Sequence, residues 1–483
     1  MLVRRRQFLQ SAAALGASLA LPAVAAPIAA SARKESRFEL IPADFKVALD
    51  PASPVQTGVW SFNDRFPGPL LRFRRGDRAS ITVRNQLPQE TAIHWHGLRV
   101  PNGMDGVPGV TQEPIPVGGR FEYRFDLPDS GTYWYHPHQA SFEQVPRGLY
   151  GALIVEEDKP PRVDRDEVWV LSDIKLDERR QQVEDFGRIL DIANDGRRGN
   201  QLLVNGLVAG PERKIAVRSG ERLRLRLINA ASARFFKLSI EGHAASIVAW
   251  DGQGLELPQT APADGIVLGP GMRVDLILDC MEKPGGRFEI RESARPRSPA
   301  IVLGVIAYTA QPALRAKPLA TPILVPPNVL PEPDLAKASD HYIMFQGGMR
   351  GAPTIGMVDG KPSRIQDIMA RQGLAWTMNY NAQHEHALMH EPLLTLSRGE
   401  HVILHMVNET DFVHPMHLHG HFFRVVGING VANPAREWRD TVIMAPRQSI
   451  DVAFIADNPG EWMYHCHILD HAAGGMMGTI VVE

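Results

Sequence analysis

Arg222-Leu223-Arg224-Leu225-Arg226-Leu227 alternates arginine and leucine with a period of two. In an extended strand successive side chains point to opposite faces, so the leucines share one side and the arginines the other. The run predicts a half-buried strand whose leucine face lies on a core. Arg78-Ala79-Ser80-Ile81-Thr82-Val83-Arg84, Phe121-Glu122-Tyr123-Arg124-Phe125 and Arg273-Val274-Asp275-Leu276-Ile277-Leu278 read in the same way. Pro-Gly, Asp-Gly and Asn-Gly turns separate such runs, and the 42 Gly and 38 Pro favour many short strands over long helices. The expected class is all-β, built of sandwiches or barrels.

The strand just quoted follows Ser219-Gly220-Glu221 and leads to Asn229. Arg75-Gly76-Asp77 opens a run that ends at Asn85, and Arg398-Gly399-Glu400 opens one that ends at Asn408. Three copies of one pattern suggest three homologous β-domains. A chain of 483 residues is too long for a single core, which agrees. The expected division is 37–160, 165–310 and 337–483, with the Pro-rich stretch 311–336 as an extended linker.

Hydrophobic residues make up 44% and charged residues 22%, the mix of an ordinary soluble globular protein, and a net charge of −2 gives no reason to expect a nucleic-acid partner. Cys280 and Cys466 are the two cysteines, so stability must come from burial rather than a disulfide framework. Residues 1–32 read as an export signal. Arg4-Arg5-Arg6-Gln7-Phe8-Leu9 precedes a small apolar run with an Ala23-Val24-Ala25 cleavage pattern, and the paired arginines fit the twin-arginine export machinery. Pro22 and Pro27 interrupt the run, which argues against a stable membrane anchor. The expected location is periplasmic or secreted, and the expected state is a monomer.

Chemistry concentrates in four segments: His94-Trp95-His96, His136-Pro137-His138, His414-Pro415-Met416-His417-Leu418-His419 and His465-Cys466-His467. With 18 His in the chain, roughly one His-x-His pair is expected by chance, so this many is a signal. On a strand, residues i and i+2 project to the same side about 7 Å apart, so each pair aims two imidazoles one way. Four pairs supply too many nitrogens for one metal and enough for a cluster, without selecting among Cu, Zn, Fe and Ni. Cys466 selects. Its thiol must point away from the imidazoles of His465 and His467, toward a second site. His414 lies upstream, and His471 and Met476 follow. One Cys, two His and a weak Met form the ligand set of a blue copper site.

These segments, with His94-Trp95-His96-Gly97 and His465-Cys466-His467-Ile468-Leu469-Asp470-His471 quoted in full, resemble the multicopper oxidases, and most closely the bacterial three-domain laccase-like members. The resemblance runs from about residue 45 to the end. It implies three consecutive cupredoxin-like Greek-key domains and four copper ions per chain: one type 1, one type 2 and a type 3 pair. The implied type 1 ligands are His414, Cys466, His471 and Met476. The implied type 2 ligands are His94 and His417, and the implied type 3 ligands are His96, His136, His138, His419, His465 and His467. Asp105, eleven residues after His94, matches an acidic residue that assists proton delivery. Ala472 stands where bacterial members often carry an acid, and Asp470 is the alternative. Cys466, His465, His467 and Asp105 are thus the expected catalytic residues.

The implied reaction couples one-electron oxidation of a phenolic or aromatic donor to reduction of dioxygen to water, with the electron arriving near the surface beside His414 or His471. The alternative is a metallo-oxidase acting on Cu(I), Fe(II) or Mn(II) in periplasmic metal tolerance. Metal-detoxifying relatives cover the type 1 site with a Met-rich segment. Here Met344, Met349, Met357, Met369, Met378, His384, His386, Met389 and His390 are sparser, and the plainer reading is methionine as adaptable core and loop filler rather than a metal-binding cover. Cys280 reads as a small buried hydrophobe, and His243, His341, His401, His405 and His421 as structural. Asp440, in Glu437-Trp438-Arg439-Asp440, is either a substrate contact or a structural ion pair.

Overall fold

The computed structural model describes residues 34–294, 298–350, 354–358, 360–383 and 391–483. The expected export signal at 1–32 lies outside them. From Glu35 to Glu483 the chain is one compact unit made almost wholly of strands.

The same arrangement recurs three times. Each copy begins with a strand that pairs in parallel with the strand ending on the repeated asparagine: Glu35–Leu40 with Arg78–Val83, Arg165–Leu171 with Leu223–Asn229, and Ser339–Phe345 with Val402–Asn408. The glycines that open the asparagine strands, Gly76, Gly220 and Gly399, all sit near φ +85°, a left-handed turn that a side chain would strain (84°, 87° and 85°). The asparagines themselves are buried and repeat one bonding pattern. The side-chain amide of Asn229 donates to the carbonyls of Arg234 (2.8 Å) and Leu268 (2.9 Å), and its oxygen accepts from the N–H of Ala231 (3.0 Å). Asn85 does the same with Gln89, Ile115 and Leu87, and Asn408 with Phe412, Ala445 and Thr410. Each closes the loop after its strand and ties it to a distant one. Asn229→Ala should therefore strand two buried carbonyls and an N–H and lower stability by about 1–3 kcal/mol. Chemical denaturation checks this, and an unchanged midpoint would refute it.

In each copy two sheets enclose a core. In the second, a seven-stranded and a five-stranded sheet bury Trp169, Leu225, Phe236, Leu276 and Ile306 between them. The corresponding sheets of the first copy close over Ile81, Trp95, Tyr123 and Leu153, and those of the third over Phe345, Leu404, Trp462 and Cys466. Among the described residues no sheet closes on itself. Residues 309–338 hold no strand or helix. They are nonetheless tied down: Asn328 bonds Ser130 and Gln253, and Arg222 donates to the carbonyls of Leu319 and Thr321.

The opening strand corrects one expectation. Its leucines face the core, but its arginines are buried too, with Arg224 and Arg226 each 1% exposed. The arginine face packs on the first copy. Arg224 pairs with Asp275 (2.6 Å) and Glu157 (2.7 Å), and Arg226 holds Asp166 through two bonds and reaches Thr132 (3.0 Å). Thr132 in turn donates to Asp275 (2.7 Å). Burial alone would lower the Arg224 pKa; Asp275 and Glu157 outweigh it and raise it. A period-two charge face is normally wet; this one is dry because every guanidinium has a carboxylate.

The histidines read as structural have protein partners of their own; the Asn458 N–H, for one, donates to His421 Nε2 (3.3 Å). His243 bonds Tyr308, His341 bonds Glu400, His405 sits between Asp340 and Asp451, and His401 accepts the N–H of Asp334. Cys280 is a buried free thiol, its pKa pushed up to about 12 by burial.

Candidate metal centre

The four His-x-His segments lie on two antiparallel strand pairs. Ile93–His96 pairs with Gly131–Pro137, placing His94 opposite His136. His414–Leu418 pairs with Gly460–Cys466, placing His417 opposite His465. The two pairs meet with their imidazoles interleaved. His94 stacks on His419 and His96 on His417, each at 3.8 Å between ring centres. Donor atoms converge within 4.8 Å in His94/His96/His417, in His96/His136/His467 and in His138/His419/His465. All eight imidazoles are buried.

Burial, reinforced by the neighbouring imidazoles, pushes His96, His136, His138, His419 and His467 well below the usual histidine range, and His465 down to about 3. Neutral imidazole carries one N–H and one lone pair, and the N–H groups have partners. Nδ1 of His94, His136, His417 and His465 lies 2.9–3.0 Å from the backbone carbonyls of Asp105, Pro137, Asp440 and Cys466. Nδ1 of His419 lies 2.7 Å from Asp105 Oδ2. With protons assigned there, Nε2 of these five rings presents a lone pair to the shared space; on His96 it is Nδ1 that has no partner, with Nε2 3.4 Å from the Thr441 hydroxyl and from Asp440 Oδ1. Nε2 of His94, His136 and His417, and both nitrogens of His138 and His467, have no hydrogen-bond partner. The Nε2 atoms of His419 and His465 stand 3.2 Å apart. Two lone pairs aimed at each other at that distance repel unless a cation lies between them.

The other face of the Gly460–Cys466 strand repeats the situation. Cys466 Sγ lies 3.6 Å from His414 Nδ1 and 3.7 Å from His471 Nδ1, and those two nitrogens are 3.1 Å apart. His471 Nε2 donates to the carbonyl of Asn194 (2.6 Å), and His414 Nε2 meets the Thr410 hydroxyl (2.8 Å). The carbonyl can only accept, which leaves Nδ1 of His471 as an acceptor; with the Thr410 hydroxyl donating to Asn408 Oδ1 (2.8 Å), it accepts from His414 Nε2 and leaves Nδ1 there as an acceptor too. Burial pushes the Cys466 thiol pKa up and His471 down to about 4. Met476 is buried in the same core, and its carbonyl accepts the Cys466 N–H (3.0 Å).

Asp105 reaches the cluster because of a tight turn. A side chain at Gly106 (φ +83°) would strike the Ile93 carbonyl, so only glycine lets the Asp105 loop lie against the Ile93–His96 strand. The Asp105 carboxylate then sits between His419 and His94, with Oδ1 3.2 Å from His94 Nδ1. Asp470 is buried, its pKa raised to about 6 by burial, and Oδ2 accepts the Arg197 N–H (2.8 Å). Asp440 is not a substrate contact. It is 1% exposed, grips the buried Arg273 through two bonds (2.8 and 2.6 Å), and its main chain orients His417.

The multicopper oxidase family profiles match residues 46–160, 173–311 and 358–483, and together they take in every one of these segments. The chain belongs to the multicopper oxidase family. A multi-copper oxidase structure from Pseudomonas thermotolerans superposes with a TM-score of 0.80 at 30% identity, over 93% of this chain and 100% of that one. The Campylobacter jejuni multicopper oxidase, described as a metallo-oxidase, gives 0.75 at 25% identity over 93% and 91%. Laccase-2 of Cryptococcus neoformans is 28% identical over 88% of this chain and 81% of its own. This multicopper oxidase is therefore a copper-dependent enzyme that oxidises a reducing substrate with dioxygen.

Neither His414 nor His471 is itself exposed; both are 0%. Trp376 lies over both rings, at 5.1 and 4.4 Å between centres, and its indole N–H is held by the Ile192 carbonyl (2.7 Å). Asn194 and Ile192 come from a loop far from the motifs in sequence, with no pattern to mark them.

Proposed function

We propose that this multicopper oxidase holds four copper ions, one type 1, one type 2 and a type 3 pair, and oxidises phenolic or related aromatic donors one electron at a time. The single observation that carries the reading is the Gly460–Cys466 strand. It turns a thiol toward two imidazole lone pairs on one side and the flanking imidazoles toward the cluster on the other. The type 1 ligands are His414, Cys466 and His471, with Met476 in support. His94 and His417 hold the type 2 ion, and His96, His136, His138, His419, His465 and His467 hold the type 3 pair. Copper at these positions would supply one-electron transfer and the reduction of dioxygen to water.

The chain supplies the rest. Backbone bonds from Cys466 to His465 and His467 make the shortest covalent path between the two sites. Carbonyl and carboxylate partners fix the tautomers of His94, His136, His417, His419, His465 and His471 before any metal binds, which limits rearrangement. Asp105 Oδ2 accepts the His419 proton and is the proton-handling group of the cluster. Asp105→Ala should lower oxygen consumption about 10–100-fold while the blue absorption persists. Loss of the colour, or unchanged turnover, would count against that role.

An organic donor is favoured because the methionines of residues 344–390 are sparse and two of them are taken up in packing: Met378 is 1% exposed and Met369 packs on a core. His384, His386, Met389 and His390 lie outside the described residues. Met349 is exposed and keeps the metallo-oxidase reading in play. Steady-state oxygen consumption with a phenol and with Cu(I) decides: a clear preference for the phenol supports the proposal, and a preference for Cu(I) overturns the substrate assignment. The division into domains at 37–160, 165–310 and 337–483, twin-arginine export to the periplasm or beyond, and a monomeric state complete the reading. Among the described residues no helix is long and apolar enough to cross a membrane.

A further inference from the structure

The second copy of the fold supplies none of the ligands assigned above, yet one of its side chains stands beside them. Arg273 opens the Arg273–Cys280 strand and is 0% exposed. A guanidinium has five N–H groups, and here every one has an acceptor. Nε donates to the Thr132 carbonyl of the first copy (3.1 Å). Nη1 donates to the Gly271 carbonyl of the second (3.3 Å) and to Asp440 Oδ1 of the third (2.8 Å). Nη2 donates to the Asp251 carbonyl of the second (2.8 Å) and to Asp440 Oδ2 (2.6 Å). One planar group is therefore bonded to all three copies at once.

Asp440 carries that constraint to two imidazoles. Its carbonyl accepts from His417 Nδ1 (2.9 Å), and its Oδ1 lies 3.4 Å from His96 Nε2. The Thr441 hydroxyl donates to the same Oδ1 (2.8 Å) and lies 3.1 Å from His417 Nδ1 and 3.4 Å from His96 Nε2. His96 belongs to the first copy and His417 to the third, and their rings stack at 3.8 Å. Gly97 follows His96 at φ +85°, and a Cβ there would lie 2.3 Å from Arg273 Nη2 and 2.7 Å from Asp440 Oδ2. Glycine lets the chain leaving His96 press directly on the ion pair.

We propose that Arg273 is a positioning residue for the metal cluster: through Asp440 it sets the placement of His96 against His417 across the junction of the first and third copies, and so holds His417 where the type 2 ion binds. The guanidinium touches no reacting atom. Its planar fork fixes direction as well as charge, which an ammonium group with three N–H groups and no plane cannot copy. The effect falls on one ion more than the others. Two imidazoles hold the type 2 ion and six hold the type 3 pair, so a displaced His417 removes half of the protein's grip on the first. The type 1 site lies on the other face of the Gly460–Cys466 strand and has no contact with Arg273 or Asp440. The proposal rests on reading His94 and His417 as the type 2 ligands.

The test loads the wild type, Arg273→Gln and Arg273→Lys with copper. Copper content, the electron paramagnetic resonance signal of the type 2 ion and the blue absorption are then followed while a chelator is titrated in. Arg273→Gln should give up the type 2 ion at about 10–100-fold lower chelator concentration than the wild type, with the blue absorption intact. Arg273→Lys keeps a counter-charge for Asp440 and should shed the same ion early too, by a smaller factor. If Arg273→Gln does not fold, Arg273→Lys decides alone. A type 2 ion held as tightly in Arg273→Lys as in the wild type overturns the proposal, because charge without the fork would then suffice. Loss of the blue absorption in step with the type 2 signal also overturns it, because the role would be general stability. A loaded wild type without a type 2 signal would instead overturn the ligand assignment beneath the proposal.

Discussion

Cys466→Ser should give a folded, colourless protein whose oxygen consumption falls roughly a thousandfold or more, the scale on which removing one member of a catalytic unit is felt. The reasoning is geometric. Cys466 is 0% exposed, and its sulfur completes the only described donor group that contains a thiol, with His414 and His471. Serine keeps the volume within one atom but offers a hard oxygen in place of a soft thiolate, so the absorption that depends on sulfur must vanish. The peptide path to His465 and His467 survives, but electrons no longer enter it. The cluster histidines are untouched, so part of the copper should remain bound. A variant that stays blue, or turns over at the wild-type rate, would show that the sulfur has been given the wrong task.

Asp275→Ala should destabilise the protein by about 3–5 kcal/mol, because it leaves buried guanidiniums short of a counter-charge. Asp275 is 1% exposed and serves Arg224, Arg226 and Thr132 at once. Alanine cannot accept from any of them, and neither arginine can move to water without opening the contact between the first two sandwiches. Glu157 and Asp166 still partner Arg224 and Arg226, which keeps the loss from being larger. Denaturant titration of the copper-free protein reads the effect. A change under about 1 kcal/mol would mean that water reaches the arginines and that the face is not dry.

How much of this could be read from sequence varied with the distance over which each residue works. The leucine face of Arg222–Leu227 was legible because its partner core follows from period alone. The fate of its arginine face was not, because Glu157 and Thr132 lie in another sandwich. The repeated asparagines announced three copies correctly, since each mainly closes its own loop. The convergence of the His-x-His pairs was legible because strand geometry turns an i, i+2 spacing into shared direction, and all eight of these imidazoles do converge. What spacing could not convey was the outer layer. The Asn194 carbonyl lies 277 residues from His471, and a main-chain oxygen leaves no mark in the sequence. Asp440 was ambiguous for the same reason: its partner Arg273 lies 167 residues away, and burial of both decided for the ion pair.

The most direct measurement is the copper content of the loaded wild-type protein, taken with its optical spectrum. About four copper ions per chain, together with an intense thiolate-to-copper absorption, are expected if one strand serves a thiolate site on one face and a cluster on the other. A single copper, or a full complement without the thiolate absorption, would contradict it.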